Sequence, residues 1–75
     1  MQRYRNLNGD SGVYAFEVGN NYIRVQFSGN SREYTYSYSK AGEYHVEQMK
    51  MLALRGMGLN SYINKYVKYL YDRFD

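Results

Sequence analysis

Tyr22-Ile23-Arg24-Val25-Gln26-Phe27 alternates without a break: Ile23, Val25 and Phe27 point one way, Arg24 and Gln26 the other. A period of two marks a strand with one face covered and one face wet. Upstream, Val13-Tyr14-Ala15-Phe16-Glu17-Val18 alternates as well, with Tyr14, Phe16 and Val18 on one face and Glu17 on the other. Gly19-Asn20-Asn21 joins the two, and those residues accept the positive φ of a tight hairpin. Downstream, Ser28-Gly29-Asn30-Ser31 makes a second turn. Glu33-Tyr34-Thr35-Tyr36-Ser37-Tyr38 then alternates a third time, setting Tyr34, Tyr36 and Tyr38 against Thr35 and Ser37. Short alternating runs joined by short turns predict a three-stranded antiparallel β-meander with one buried face.

After Ser39 the period lengthens to that of a helix. Val46, Met49 and Ala53 fall on one stripe with Leu52 beside them. Glu43 and Glu47 sit in the first turns and Lys50 and Arg55 toward the end, an order that complements the helix dipole. Gly56 and Gly58 stop this helix, glycine being the residue that most readily takes the left-handed turn at a helix C-terminus. Asn60 is the expected N-cap of a second helix. Along that helix Leu59, Tyr62, Ile63, Tyr66, Val67, Leu70 and Phe74 recur at three- and four-residue steps. Ser61, Asn64, Lys65, Lys68 and Asp72 occupy its polar side, with Lys68 and Asp72 spaced to pair across one turn. The fold class expected is α+β: the meander followed by two α-helices packed on one of its faces.

A chain of 75 residues has room for one domain. The reading places a mobile N-terminal arm at residues 1–10, ending in the turn Asn8-Gly9-Asp10, and a single folded unit at residues 11–75. Apolar residues at 44% and charged residues at 23% are ordinary globular usage and argue against a disordered chain. Eleven tyrosines and no tryptophan are the unusual feature. In a small domain such rings thicken a thin core while their hydroxyls stay at the wet rim. No apolar run approaches the ~20 residues of a membrane span, and Met1-Gln2-Arg3-Tyr4-Arg5 is polar, so the expectation is a cytoplasmic protein without membrane contact.

Several of these segments together resemble a known family. Tyr34-Thr35-Tyr36 on the third strand resembles the Tyr-x-Tyr signature of the KTSC domain, a small bacterial module named for its occurrence at the C-terminus of some lysyl-tRNA synthetases. Phe16-Glu17, Ile23-Arg24-Val25-Gln26-Phe27 and Gly56-Met57-Gly58-Leu59-Asn60-Ser61-Tyr62-Ile63 extend the resemblance across most of the chain. Tyr38-Ser39-Lys40-Ala41-Gly42 lacks the proline usual after the signature strand, and Leu54 and Leu59 replace a serine and an aromatic residue. The resemblance implies Tyr34, Tyr36, Gly56 and Asn60 as motif residues, no enzymatic activity, and RNA as a suggested ligand.

The residues themselves exclude much chemistry. Without cysteine there are no disulfides, thiol nucleophiles or cysteine metal sites. The single histidine, His45, lies beside an apolar stripe, where packing is the ordinary role, and Glu43 and Glu47 are explained by the helix start. Gly56-x-Gly58 lacks the lysine and preceding strand of a phosphate loop. Neither catalysis nor a cofactor is expected. A net charge of +3 and a pI near 9.2 leave nucleic-acid binding open, with Arg24, Lys65 and Lys68 as phosphate contacts because their neighbours point to the core. The basic residues Arg3 and Arg5 add to that charge. Parity puts the strand tyrosines on the face the helices would cover, which argues against an exposed stacking platform there. The other class is a protein partner or homodimer, using the sheet edge, the second helix's stripe, Met51 and Met57.

Overall fold

The alternating stretches form the middle of the sheet. In the computed structural model, which describes residues 1–9 and 12–75, β2 (Val13–Val18), β3 (Tyr22–Phe27) and β4 (Glu33–Ser37) pair antiparallel in sequence order. Ile23 and Val25 are fully buried, while Tyr22, Arg24 and Gln26 keep part of their surface in water. Register sets Ile23 opposite Tyr36 and Val25 opposite Tyr34, so both tyrosines share the aliphatic face. Tyr36 is buried and Tyr34 partly so.

The sheet has five strands, two more than the alternation predicts. β1 (Gln2–Arg3) adds to β2 and β5 (Arg73–Phe74) adds to β4, giving the order β1-β2-β3-β4-β5. Two-residue strands carry no period and leave no mark in a sequence. β2 also departs from its expected facing. Its register slips between Val13 and Ala15, and the consecutive Ala15 and Phe16 are both buried. Tyr14 and Val18, expected beside Phe16, are exposed. An extra residue at a bulge inverts the parity on one side of it, and Val18 ends the strand.

The segment expected as a mobile arm is tied to the domain. Tyr4 is buried, with its ring edge-on to Phe16 and its amide donating to the Tyr14 carbonyl at 2.9 Å. Its hydroxyl accepts the Leu59 amide at 3.3 Å, and Leu7 donates to the Gly56 carbonyl at 2.8 Å. One aromatic anchor needs no periodicity to hold a chain end. The expected boundary between Asp10 and Ser11 lies outside the described residues.

α1 (Glu43–Arg55) follows its sequence pattern. Val46, Met49 and Ala53 are buried, Glu43 stands in the first turn and Arg55 in the last. Gly56 ends it at φ 85°, its amide donating to the Leu52 and Ala53 carbonyls. The second helix is shorter than its stripe predicts. α2 (Leu59–Tyr62) follows Gly58 at φ 86°, so Asn60 lies inside the helix instead of capping it. The helix then widens into a π turn over Ile63–Val67. Leu59, Ile63 and Val67 are buried, but the stripe stops there: Leu70 and Phe74 are exposed. The expected Lys68–Asp72 pair does not form. Asp72 instead accepts the Ser37 amide at 2.9 Å and the Ser37 hydroxyl at 2.8 Å, and its own amide donates to the Thr35 carbonyl at 2.7 Å. The open edge of β4 thus captures residues that would otherwise prolong the helix.

One core joins these parts. Phe16, Ile23, Val25 and Tyr36 from the strands cluster with Val46, Met49 and Ala53 from α1 and with Leu59, Ile63 and Val67. Among the described residues, no helix is long and apolar enough to cross a membrane.

Candidate nucleic-acid interface

The three basic residues singled out by the sequence do not meet on one surface. Arg24 shares the sheet's outer face with Thr35, its opposite in register, and donates from Nε to Thr35 Oγ1 at 3.3 Å. Its guanidinium also lies 3.7 Å from the Glu33 carboxylate. That charge is already compensated. Arg3 and Arg5 are engaged as well. The Arg3 guanidinium sits 4.2 Å above the Tyr14 ring. Arg5 donates to the Leu54 and Arg55 carbonyls at 2.7 and 3.0 Å, satisfying the C-terminal end of α1.

Lys65 and Lys68 stand apart from this pattern. They project from the π turn and the residue after it, three positions apart and both exposed. Among the described residues no carboxylate lies within ion-pairing reach of either. Each ammonium lies over a neighbouring ring instead, Lys65 at 5.2 Å from the centre of Tyr66 and Lys68 at 5.5 Å from that of Tyr69. Such contacts hold a cation near an aromatic face without neutralising it.

The rings beside these lysines are unusually open. Tyr69 is 75% exposed and Tyr66 48%, while Tyr44, packed against His45 on α1, is 70% exposed. Tyr66 stacks on His45 at 5.8 Å with the planes 24° apart, and Tyr62 lies 4.7 Å from Tyr66. His45 Nδ1 and the Tyr62 hydroxyl are hydrogen-bonded at 2.7 Å. His45 therefore braces α1 against the second helix, the packing role expected of it. Among the described residues no group of three His, Asp or Glu side chains is gathered as a metal site would need.

A cavity of about 310 Å³ opens beside Lys68. Tyr34 and Tyr36 line it from β4, Ile63 and Asn64 from the π turn, and Tyr69 and Tyr71 from the segment leading to β5. The rings brace one another edge to face, Tyr34 against Tyr71 at 5.0 Å and Tyr36 against Tyr71 at 6.2 Å. Tyr34 and Tyr36 thus form a wall of the cavity from inside the fold. The other motif residues have structural parts. Gly56 turns the chain, and Asn60 lines a separate polar cavity of about 110 Å³ with Tyr4 and Ser61.

Lys65 and Lys68 stand in water, as their place on the polar side of the second helix predicts, whereas the sequence does not predict the exposure of the tyrosines around them. Tyr66 belongs to the apolar stripe and reads as core, yet the widened turn leaves it half in water. Tyr69 lies off the stripe, and its place between Lys68 and Leu70 is the signal that would have marked it as a surface ring. No family model, no curated protein and no solved structure matches this chain.

Proposed function

We propose that this chain is a small non-catalytic binding module, of the KTSC type its motifs resemble, that holds single-stranded RNA on the surface around Lys65 and Lys68. The observation that carries the reading is that each of two ammonium groups, neither within reach of a carboxylate among the described residues, lies beside an exposed tyrosine ring. Single-stranded nucleic acid is held by that combination: cations follow the phosphates while aromatic faces stack bases. The core shared by strands and helices supports reading the two helices as the cover of one sheet face. Arg24, paired with Glu33 on the outer face, then belongs to the solvated surface.

Titration with single-stranded RNA at several salt concentrations tests the proposal. Lys65→Ala and Lys68→Ala weaken binding alike for all sequences, and each flattens the logarithmic salt slope by about 0.7. A double variant that keeps its melting temperature, affinity and slope refutes it. Tyr44, Met51 and Leu54, all more than half exposed on α1, favour a second reading as a protein-association surface. Under that reading the hydrodynamic mass rises with concentration while RNA leaves the protein unchanged.

A further inference from the structure

The cavity beside Lys68 has a use beyond general phosphate attraction. We propose that it receives one unstacked nucleobase of a single-stranded RNA, with that nucleotide's phosphate held at Lys68. The inference rests on the RNA-binding reading and adds to it a defined subsite. Phosphate contacts alone position a strand, whereas a pocket for the base selects where the strand is gripped.

Size comes first. At about 310 Å³ the cavity stands at the foot of the usual range for small-molecule sites, about 300–1,000 Å³. One planar ring system is the scale of occupant this suits. Chemistry comes second. Tyr34, Tyr69 and Tyr71, with Tyr36 buried behind them, give the walls an aromatic lining, the kind of surface on which unstacked bases are held in single-strand recognition. Asn64 lies on the same lining, and its amide offers both a donor and an acceptor, as the edge of a base requires. Charge comes third. Lys68 borders the cavity without a carboxylate partner among the described residues, and a phosphate would give it a charge-assisted hydrogen bond. Lys65 lies three residues back and supplies a second exposed cation for the strand.

Rigidity matters as much as composition. Tyr34 packs edge-on against Phe27 at 5.4 Å and against Tyr71 at 5.0 Å, and Asp72, the residue after Tyr71, accepts the Ser37 amide and hydroxyl. The back wall therefore exists before any ligand arrives, and little ordering cost falls on binding. Of the four rings, Tyr69 is the largely open one and stands where it can cover a bound base.

Side-chain and amide resonances followed during titration with uridine monophosphate, uridine, inorganic phosphate and a short oligouridine test the site. The nucleotide and the oligomer are expected to shift the Tyr34 and Tyr71 ring signals and the Asn64 side-chain amide, in a saturable way. Inorganic phosphate is expected to move Lys68 and to leave those rings unmoved. Tyr69→Ala and Asn64→Ala change exposed positions and should keep the melting temperature, while each lowers oligomer affinity about five- to tenfold. Lys65→Ala should lower oligomer affinity and spare the ring shifts produced by the mononucleotide. If the oligomer moves Lys65 and Lys68 but not Tyr34 or Tyr71, the base subsite is wrong and the phosphate surface stands. Ring shifts with unchanged affinity in both Tyr69→Ala and Asn64→Ala also overturn the subsite. If no resonance moves with any RNA, the subsite and the RNA reading fall together.

Discussion

Replacing Tyr36 by alanine probes the centre of the fold. Its side chain is 1% exposed, sits opposite Ile23 across the β3–β4 ladder and packs its ring edge-on against Tyr71. Removing a buried ring of this kind costs about 3–5 kcal/mol, because the loss of transfer energy is joined by the cavity left behind. Seventy-five residues at about 0.05–0.15 kcal/mol each give a total stability of about 4–11 kcal/mol. The substitution therefore removes between about a quarter and all of it. At about 4–8 °C per kcal/mol for a domain of this size, the melting temperature falls by at least about 12 °C. Tyr36→Phe keeps the ring and should change stability by less than about 1.5 kcal/mol. Thermal melts followed by circular dichroism, with urea titrations beside them, measure both. A Tyr36→Ala protein that is fully folded with the parent melting temperature would refute the burial argument and release this ring for ligand binding.

Glycine chemistry and pH supply two further tests. Gly56→Ala forces φ 85° on a residue with a Cβ that would lie 2.9 Å from Arg5 Cβ, so it should cost more than about 1 kcal/mol. Gly29→Ala meets the same left-handed strain in open space and should cost less, which parallel thermal melts will rank. Tyr38 donates a hydrogen bond to Glu47, and that bond pushes its hydroxyl up to about 12. The unfolded chain releases the proton near pH 10, so stability declines as pH rises from about 10 to about 12. Lys50, 2.8 Å from Glu47, is the first cause and the Tyr38 bond the second that hold the Glu47 carboxyl below its ordinary value. That contribution is present above the unfolded carboxylate pKa and disappears as pH falls through the lower folded one. Urea midpoints from about pH 3 to about pH 11 should show Tyr38→Phe softening the alkaline decline and Glu47→Gln softening both limbs.

The parts legible in the sequence are those whose own neighbours decide them. β3 alternates against partners on both sides, and its period of two emerges as Ile23 and Val25 in the core. α1 carries its stripe, its charge order and its glycine stop within one segment, and all three hold. The misread parts are decided from a distance. β1 and β5 exist because a sheet edge offers unpaired amides and carbonyls, and a two-residue strand has no pattern of its own. The helix expected through Phe74 contains no glycine or proline after Leu59 to stop it, and its end is set by Asp72 meeting Ser37. Tyr4 is likewise a single ring in an aperiodic segment. For the site, the polar side of the second helix was enough to place Lys65 and Lys68 in water. The cavity was not legible, since β4, the π turn and the return to β5 meet there through no shared spacing.

The widened turn at Ile63–Val67 gives the chain slack in its residue count. A π turn is an α-helix holding one residue more than regular geometry requires. Deleting Asn64 would remove that surplus and let an ordinary helix run through. The five residues of the π turn cover about the arc of four regular helical residues at about 100° each, so the following side chains would keep nearly their present bearing against the sheet. Lys68 and Tyr69 would stay at the mouth of the cavity, and Asp72 would keep its line to Ser37. A second deletion would find no such slack and would turn every later side chain by about 100°. The π turn thus gives the stretch between Ile63 and Asp72 a tolerance of one residue in length.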